Sequence, residues 1–304
     1  MNEMMGKQIR EWIFLEEIGR GGMGLVYKVR HALVPEQLRA IKIIHAEMVW
    51  DEEIAARFLR EASVMLSLKH ENLTEAETPF MESGRLYVVM EFLEGNSLQE
   101  WIDRYDKLGL SLAFGIALQA AKGLGYAHSR EISHRDIKPS NIFIENSGNV
   151  KILDFGLARR SADIGVTRSG NQIGTIEYMP PEVFHPYSQR NPKGLKTPSD
   201  WLAVSKLRDV YALGLVLYEM LSGSLPFKLD ADIDVMKQIQ TMTEVHRDRL
   251  PPIEQFRFLP PFLAGIVNKA VHRDPMQRYA DSEQFAHDLK KAARMMFNRA
   301  EYIG

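Results

Sequence analysis

Glycines between two predicted strands are the feature of this sequence that most restricts its fold. The stretch EEIGRGGMGLVYKV, residues 16–29, contains Gly19, Gly21 and Gly24 in the pattern G-x-G-x-x-G, with Gly22 as an extra glycine. This pattern can be a strand-to-helix turn that holds a dinucleotide pyrophosphate, a loop between strands that closes over the phosphates of ATP, or a plain tight turn. Because LVYKV alternates with the period of a strand and no capped helix begins at Gly24, the dinucleotide turn is disfavoured. The phosphate-covering loop, whose bare backbone can approach phosphates closely, and the plain turn remain.

Hydrophobic spacing places further strands in the first part of the 304 residues. AIKII, residues 40–44, is a predicted strand with Lys42 on one face and with Ile41 and Ile43 on the other. RLYVVMEF, residues 85–92, is another predicted strand. The sequence therefore begins with a small strand-rich part over about the first 92 residues.

The pattern becomes helical from residue 93 onward. Ser97 and Glu100 form a capping-box pair for a helix that begins there. Residues 210–221, VYALGLVLYEML, are apolar nearly all round, which is typical of a helix in the middle of a domain. Residues 185–208 hold three prolines and many polar residues, and we predict a long loop or insertion there.

The composition excludes several kinds of protein. The chain has no cysteine, which excludes disulfides, thiolate metal sites and a cysteine nucleophile. A net charge of −2 argues against a protein held to nucleic acid by bulk charge. No run approaches the roughly 18 apolar residues of a membrane span, and the first residues lack a signal-peptide core. A cytoplasmic location is the expectation, although segments outside this chain could tether a longer protein to a membrane.

Four further motifs decide how the glycine loop is used. No G-x-x-x-x-G-K-[ST] run is present, so a P-loop NTPase is disfavoured. Lys42 lies on a predicted strand, Glu61 lies on a predicted helix, HRDIKPSN covers residues 134–141, and DFG covers residues 154–156. In this order the set is highly specific. Over about residues 11–297 the chain resembles the eukaryotic-like serine/threonine protein kinases, and it is most similar to bacterial members.

The resemblance implies an α+β, bilobal fold. It has a small antiparallel β-sheet lobe with one main helix and a larger, mainly α-helical lobe. The implied activity is transfer of the γ-phosphoryl group of Mg-ATP to Ser/Thr hydroxyls of protein substrates. The expected divisions are an N-terminal extension over 1–10, the kinase domain over 11–297 with lobes at 11–92 and 93–297, an insertion over 185–208 and a tail over 298–304.

The resemblance also assigns the catalytic residues. Phosphoryl transfer depends more on positioned charge than on covalent chemistry. Lys42 is expected to bind the α- and β-phosphates and to pair with Glu61. Asp136 is expected to orient the substrate hydroxyl and accept its proton, and Lys138 is expected to contact the γ-phosphate.

The implied cofactors are ATP and Mg²⁺, with Mn²⁺ as an alternative. Asn141 and Asp154 are expected to hold the metal, since hard cations take oxygen ligands. Met90 is expected beside the adenine. The expected nucleotide contacts are Gly19, Gly21, Gly24, Val26, Ala40, Lys42, Met90, Glu91, Leu93 and Phe143.

Residues 154–182 resemble an activation segment. By that resemblance Thr167 and Ser169 are candidate phosphorylation sites. Arg135 and Arg159 are their expected partners, because two guanidiniums can hold a phosphate in forked geometry. Regulation by autophosphorylation, with a homodimer as the arrangement for it, is the expectation.

Some positions match structural features of the family and others depart from it. Glu182 and Arg278 match an ion pair of the larger lobe, and Asp209 matches an anchor at the start of the buried helix. Pro180 stands where the family usually has alanine, which stiffens the backbone there. The insertion over 185–208 could shape substrate choice or be a tolerated surface loop, with equal weight.

Two other functions are alternatives to an active protein kinase. A pseudokinase scaffold would lack a key lysine or aspartate, whereas Lys42, Asp136, Asn141 and Asp154 are all present. A small-molecule kinase is disfavoured because the segment ending in GT…PPE resembles one that presents a peptide. The expected partners are therefore protein substrates and ATP, without nucleic acid.

Overall fold

A computed structural model of the protein describes most of the chain. The described residues are 4–21, 24–44, 66–154, 176–184, 198–229, 234–246 and 250–300. The chain divides into two compact units. The first comprises Met1–Gly95 with Asp154–Leu157, and the second comprises Asn96–Leu153 with Ala158–Gly304.

The first unit is built on a six-stranded antiparallel sheet. Its strands, in the order β1-β2-β3-β4-β6-β5, are β1 (Gln8–Ile9), β2 (Trp12–Gly21), β3 (Gly24–His31), β4 (Leu38–Ile44), β5 (Phe80–Glu82) and β6 (Arg85–Glu91). Strands that follow one another closely in the chain also pair in the sheet, so short connections suffice. The predicted arrangement of strand, glycine loop and strand is confirmed at β2 and β3.

One face of this sheet carries an apolar core. Ile41 and Ile43 are buried there, as the period of two predicted. Phe14 packs edge-to-face on Tyr27 with ring centroids 5.4 Å apart. The other core residues are Met4, Trp12, Val29, Tyr87 and Val89. Because alternate residues face opposite ways, Lys42 lies on the face away from this core.

The second unit is mainly helical. Its helices are α1 (Leu98–Tyr105), α2 (Leu110–Ser129), α3 (Pro181–Phe184), α4 (Pro198–Ser222), α5 (Val235–Val245), α6 (Pro261–Ala270) and α7 (Ser282–Ala300). Three short strands form a second sheet in the order β7 (Gly95–Ser97), β8 (Ile142–Glu145) and β9 (Val150–Ile152). No helix within the described ranges is long and apolar enough to cross a membrane.

Helix α1 begins with the predicted capping box. The Ser97 hydroxyl accepts the backbone N–H of Glu100, and the Glu100 carboxylate accepts the backbone N–H of Ser97 at 2.7 Å. These bonds satisfy two of the donors that a helix start leaves open. Hydrogen bonds from Ser97 also lower the pKa of the Glu100 carboxyl.

Helix α4 is the centre of the second unit. Residues 210–213 and 215–218 are buried, as predicted for a helix that is apolar nearly all round. It packs against α2, α6 and α7. A side chain at Gly214 would lie 2.7 Å from the Ala270 Cβ, so glycine allows α4 and α6 to approach closely.

The predicted loop over 185–208 is partly wrong. Helix α4 already begins at Pro198, so the last eleven residues of that stretch are helical. Proline is well tolerated in the first turn of a helix, where its missing N–H has no partner to lose. Pro198 therefore opens a helix instead of interrupting one, and residues 185–197 lie outside the described residues.

Candidate active site

Lys42 is positioned by the register of the first sheet. On β4 it faces Val26 of β3 and Val88 of β6. The side chain is buried, and its Nζ atom lies 2.8 Å from Oδ2 of Asp154. A buried ammonium needs such a carboxylate, because an unpaired charge in the interior is costly. The predicted partner Glu61 lies outside the described residues, and that pairing stays a prediction.

The glycines of the β2–β3 hairpin have different surroundings. Gly21 pairs with Gly24 at the end of the hairpin. A Cβ atom at Gly24 would lie 2.0 Å from the carbonyl oxygen of Ile43, so β4 leaves no room for a side chain. A Cβ atom at Gly21 would meet nothing within 4 Å. Gly24 thus serves the packing of the sheet, and a phosphate contact at Gly19, Gly21 and Gly24 stays a prediction.

The predicted adenine contacts are distributed over both units. Met90 on β6 faces Ala40 on β4, and both are buried. The backbone N–H of Glu91 donates to the carbonyl of Glu75 at 3.0 Å, and the Glu91 carboxylate accepts the Glu75 N–H.

The remaining predicted contacts belong to neighbouring elements. Val26 is half-buried on β3, and Leu93 follows β6. Phe143 lies on β8 of the second unit, opposite Lys151. The adenine contacts themselves stay predictions.

The second unit brings together two predicted catalytic residues, Asp136 and Lys138, and the predicted metal ligand Asn141. Nζ of Lys138 lies 3.0 Å from Oδ2 of Asp136. The Asn141 amide donates to the same Oδ2 atom at 3.0 Å and to the Asp136 backbone carbonyl at 2.7 Å. Since Asn141 uses its Nδ2 atom as donor, its side-chain oxygen is the atom that could ligate a metal. The side chain of Asp136 is 29% exposed, so its carboxylate is accessible.

Buried Asp209 holds the backbone of this catalytic loop. Its carboxylate accepts the N–H groups of His134 and Arg135, each at 2.7 Å, and accepts a bond from Nε2 of His128 at 2.9 Å. Burial alone would raise the pKa of the Asp209 carboxyl, but these donors outweigh it and the pKa is lowered. Arg135 adopts a left-handed φ of 70°, a strained conformation that surrounding contacts must stabilise. Asp209 is thus the predicted anchor.

His128 is a member of the site that the sequence did not predict. Its Nδ1 atom faces the backbone N–H of Ser282, at the start of α7, at 3.4 Å. With Nδ1 as acceptor, Nε2 carries the proton that is donated to Asp209. The available signal was a histidine on a helix that is otherwise largely apolar, and that pattern does not identify a partner 81 residues away.

His134 ties the catalytic loop to the residue before Asp154. Its Nε2 atom lies 2.7 Å from the carbonyl of Leu153, and the N–H of Leu153 donates to the carbonyl of Asn141 at 2.9 Å. Asp154 itself has a φ of 55°. Aspartate is enriched among the non-glycine residues that adopt this left-handed region, which is frequently found at functional sites.

Asn141 and Asp154 each carry a ligand atom of the kind that a divalent cation takes. Each has a side-chain oxygen, and hard cations such as Mg²⁺ prefer carboxylate and carboxamide oxygens. Among the residues that the structure describes, no group of three or more His, Asp or Glu side chains is placed to hold a metal. A metal site that uses both residues stays a prediction.

The predicted ion pair of Glu182 and Arg278 is confirmed. Two guanidinium nitrogens of Arg278 donate to the two carboxylate oxygens at 2.9 and 2.8 Å, and both side chains are buried. Arg278 also donates to the backbone carbonyls of His272, Leu207 and Arg273. Because Arg278 binds both Glu182 and three backbone carbonyls, it holds Glu182, on the short helix α3, in a fixed position.

A second buried carboxylate, that of Glu219, lies on α4. The Tyr178 hydroxyl donates to Glu219 on α4. Burial raises the pKa of the Glu219 carboxyl, although the Tyr178 hydrogen bond opposes the shift. Burial likewise raises the pKa of Glu177, with the charge of Lys138 acting in the opposite direction. The sequence did not predict that Glu177 and Glu219 would have raised pKa values.

Several predicted regulatory residues lie outside the described residues. They are Arg159, Thr167 and Ser169. The segment that contains them, and its phosphorylation, stay predictions.

Known proteins resemble this chain over most of its length. The family described as protein kinase domain matches residues 12–290. Serine/threonine-protein kinase PrkC of Bacillus subtilis is 33% identical over 291 residues, which cover 95% of this chain and 42% of that protein. PknB of Mycolicibacterium smegmatis is 33% identical over 283 residues, which cover 90% of this chain and 41% of that protein. The chain thus spans about two fifths of the length of these curated relatives.

Solved structures with the same fold include two kinases. The kinase domain of Mycobacterium tuberculosis PknI superposes with a TM-score of 0.67 at 24% identity, covering 95% of this chain and 98% of that one. Rad53 in complex with AMP-PNP superposes with a TM-score of 0.69 at 24% identity, covering 91% of this chain and 64% of that one. At this identity the likeness concerns the fold alone. The predicted class, an antiparallel-sheet lobe and a larger helical lobe, is confirmed.

Proposed function

The chain belongs to the protein kinase domain family, and from this premise we propose that it is an active serine/threonine protein kinase. It transfers the γ-phosphoryl group of Mg-ATP to Ser or Thr hydroxyls of protein substrates. The observation that carries this proposal is the group of Asp136, Lys138 and Asn141, which hydrogen bonds hold together on a loop anchored by Asp209.

Asp136 acts on the substrate hydroxyl. Lys138 and Asn141 both contact Oδ2 of Asp136, which keeps the carboxylate oriented. In the transfer, the hydroxyl oxygen forms a bond to the γ-phosphorus while the bond from that phosphorus to the bridging oxygen of ADP breaks. The hydroxyl proton passes to Asp136, and ADP is the leaving group.

Lys42 supplies positive charge for the phosphates of ATP. Its position on β4 is fixed by pairing on both sides, so the ammonium is held in place before the nucleotide arrives. Asp154 and Asn141 would hold Mg²⁺, which when bound neutralises phosphate charge. In the free protein, Nζ of Lys42 lies 2.8 Å from Oδ2 of Asp154.

The alternative is a pseudokinase scaffold, which would bind partners without transferring phosphate. The test is incorporation of ³²P from [γ-³²P]ATP with Mg²⁺ into generic basic proteins and into the chain itself. Lys42→Ala and Asp154→Asn are expected to reduce incorporation by at least about a hundredfold while the proteins remain folded. Lys107→Ala and Asp103→Asn, which change exposed residues of the same types, are the matched controls.

The result that would contradict the proposal is incorporation that is unchanged in Lys42→Ala or Asp154→Asn. Absence of incorporation in the unaltered protein, at a nucleotide concentration where ATP binding is measured, would favour the scaffold. Circular dichroism of each variant shows whether a loss of activity reflects a loss of folding.

Regulation by autophosphorylation at Thr167 or Ser169 is part of the same proposal. Both hydroxyls follow Asp154 in a segment that resembles an activation segment, and Arg135 belongs to the anchored loop. Mass spectrometry after incubation with Mg-ATP is expected to find phosphate at one or both residues. An active enzyme with both residues unmodified would refute this part. A homodimer for this reaction and a cytoplasmic location stay predictions.

A further inference from the structure

A pocket of about 340 Å³ opens on the surface of the second unit. It lies between α1, the first turns of α2 and the tip of the β8–β9 hairpin. Its volume is in the range of pockets that hold a small ligand or an inserted side chain. Asp136, Lys138 and Asn141 are not among the residues that line it, so the proposed phosphoryl transfer leaves this pocket without a role.

Hydrogen bonds hold the walls of this pocket in place. Gln119 on α2 donates from Nε2 to the carbonyl of Gly148 at 3.3 Å and accepts the backbone N–H of Val150 at 3.0 Å. These two bonds tie the tip of the hairpin to α2. The side-chain amide of Asn149 donates to Oε2 of Glu145 at 2.8 Å, which orients that carboxylate. The pocket is therefore formed before a ligand arrives.

A glycine contributes open space to the pocket. Gly115 on α2 lines it, and a Cβ atom at this position would meet nothing within 4 Å. Glycine inside a helix costs about 1 kcal/mol relative to alanine, and no described neighbour excludes a side chain here. A larger side chain would therefore fit at Gly115, and the pocket can be filled by mutation.

The lining combines apolar walls with a single charge. Leu112, Ile116 and Ile144 supply aliphatic surface, and Trp101 supplies an aromatic ring. Glu145 is the only charged residue among the described residues that line the pocket, and no cation in the described part of the chain pairs with it. Such a lining suits an amphipathic cation, whose stem lies on apolar walls while its head reaches the carboxylate. The face of an indole ring also attracts a cation.

The apolar surface continues beyond the pocket. Leu112 is 40% exposed, and Tyr105 is 52% exposed with its ring 5.4 Å from that of Trp101. A free small cation would leave these neighbouring side chains open to water, whereas a protein segment would cover them. The surroundings therefore favour a cationic side chain that belongs to a protein.

We propose that this pocket receives an arginine side chain of a partner protein. The guanidinium binds Glu145 by charge-assisted hydrogen bonds. Its aliphatic stem packs on Ile116 and Ile144, and apolar residues that flank the arginine contact Leu112 and Tyr105. Arginine fits better than lysine, because its planar guanidinium binds a carboxylate in forked geometry and stacks on aromatic rings.

The indole N–H of Trp101 provides a local signal for the test. The chain has four tryptophans, and Trp101→Phe identifies the signal of this one in a ¹H–¹⁵N NMR spectrum. The probe is the peptide acetyl-Leu-Ala-Arg-Ala-Leu-amide. Its controls are the same peptide with norleucine in place of arginine, which keeps a stem without the charge, and butylguanidine as a free cation.

The arginine peptide should shift the Trp101 signal until the site is saturated. We expect it to bind at least about tenfold more tightly than the norleucine peptide, because the charged hydrogen bonds are lost in the latter. Butylguanidine should also bind at least about tenfold more weakly, because it does not cover the apolar surface beyond the pocket.

Two variants with matched controls locate the binding. Glu145→Gln should weaken binding of the arginine peptide about tenfold, while glutamine still accepts the Asn149 amide. Gly115→Leu should weaken it about tenfold or more by filling the pocket. Glu244→Gln and Gly265→Leu change exposed residues, and a Cβ atom at Gly265 also meets nothing within 4 Å, so both should match the unaltered protein. The other indole signals show whether each variant is folded, and Glu145→Gln still tests the site if Gly115→Leu does not fold.

Each contrary result removes a stated part of the proposal. Equal affinities of Glu145→Gln and Glu244→Gln for the arginine peptide would overturn the role of the carboxylate. Equal affinities of Gly115→Leu and Gly265→Leu would overturn the pocket as the site. If butylguanidine bound as tightly as the peptide, a protein partner would be the wrong occupant. The titration contains no nucleotide, so a protein that binds the peptide without transferring phosphate would contradict only the proposed function.

Discussion

The two units position their functional residues by different means. In the first unit, Lys42 lies on a regular strand, and its location follows from the pairing of β4 with β3 and β6. In the second unit, the loop of Asp136 is irregular, and its shape depends on buried polar contacts to Asp209. The sheet spreads its stability over many backbone and apolar contacts, whereas in the loop two backbone N–H groups, those of His134 and Arg135, depend on one carboxylate.

The difference predicts how each unit responds to mutation. A single change in a regular sheet removes one of many similar contacts, so its effect is limited unless it creates a clash. A single change at a buried carboxylate leaves several donors unsatisfied at once. The following variants test this contrast, beginning with the largest expected effect.

Asp209→Asn should be the most damaging of these changes. Asparagine has one side-chain acceptor oxygen and an amide that donates, so donors from His134, Arg135 and His128 cannot all be satisfied. We expect a loss of about 3 kcal/mol in the free energy of unfolding, measured by urea titration at neutral pH. Asp103→Asn, an exposed aspartate on α1, is the control.

The effect of Asp209→Asn should also depend on pH. Because folding lowers the pKa of Asp209, its stabilisation is complete above the unfolded value of about 3.9 and is lost as the pH falls through the folded pKa. The difference in the free energy of unfolding between the unaltered protein and Asp209→Asn should therefore become smaller at acidic pH. A small difference in the free energy of unfolding at pH 7 would show that other contacts hold the loop.

Gly24→Ala is the corresponding test in the first unit. A methyl group there would meet the Ile43 carbonyl at 2.0 Å, so β3 and β4 must separate, at a cost of about 2 kcal/mol. Gly21→Ala, where a Cβ atom meets nothing, should change stability by less than about 0.5 kcal/mol. Hydrogen exchange of the β3 and β4 amides measures the change locally. Equal effects of both alanines would show that the close approach of the strands is not required.

Ser97→Ala tests a local contact in the unit that is otherwise held by distant ones. The variant removes the hydroxyl that accepts the Glu100 N–H at the start of α1. We expect a loss of about 1 kcal/mol in thermal or urea unfolding. Ser111→Ala, an exposed serine near the start of α2, should be close to neutral. If Ser97→Ala lowered the free energy of unfolding as much as Asp209→Asn, local contacts would not be weaker than long-range contacts in this unit, and the prediction would be wrong.

Glu219→Gln should have the smallest effect, and it should be favourable. Burial raises the pKa of Glu219 in the folded protein, so its contribution to stability is complete below the unfolded pKa of about 4.3 and is lost as the pH rises through the folded value. Glutamine cannot ionise and still accepts the Tyr178 hydroxyl. The variant should gain up to about 1 kcal/mol at pH 7 and none below about pH 4. Urea titrations at both pH values measure the free energy of unfolding of Glu219→Gln, with Glu244→Gln as an exposed control. A lower free energy of unfolding for Glu219→Gln at pH 7 would refute the prediction.

Local patterns explain which parts of the protein were predictable from the sequence. The face of Lys42 follows from a period of two, and the capping box follows from a spacing of three, so both were predicted and confirmed. The phosphate contact of Gly24 stays a prediction, and the close approach of the Ile43 carbonyl, which also requires a glycine there, was not predicted.

The parts that were missed depend on residues distant in the chain. His128 and Asp209 are 81 residues apart, and no local spacing relates them. Tyr178 and Glu219 are 41 residues apart, and they meet only after α4 has packed. The start of α4 was missed for a different reason, because Pro198 was interpreted as part of a loop although proline also opens helices.

The anchoring of the catalytic loop has a consequence for synthesis of the chain on the ribosome. His134 is made 75 residues before Asp209, and His128 is made 154 residues before Ser282. At about 5–20 residues per second, the loop waits about 4–15 s for its carboxylate, and His128 waits about 8–31 s for the N–H of α7. A nascent chain that already displays every catalytic side chain would therefore be inactive until α4 has been translated and packed.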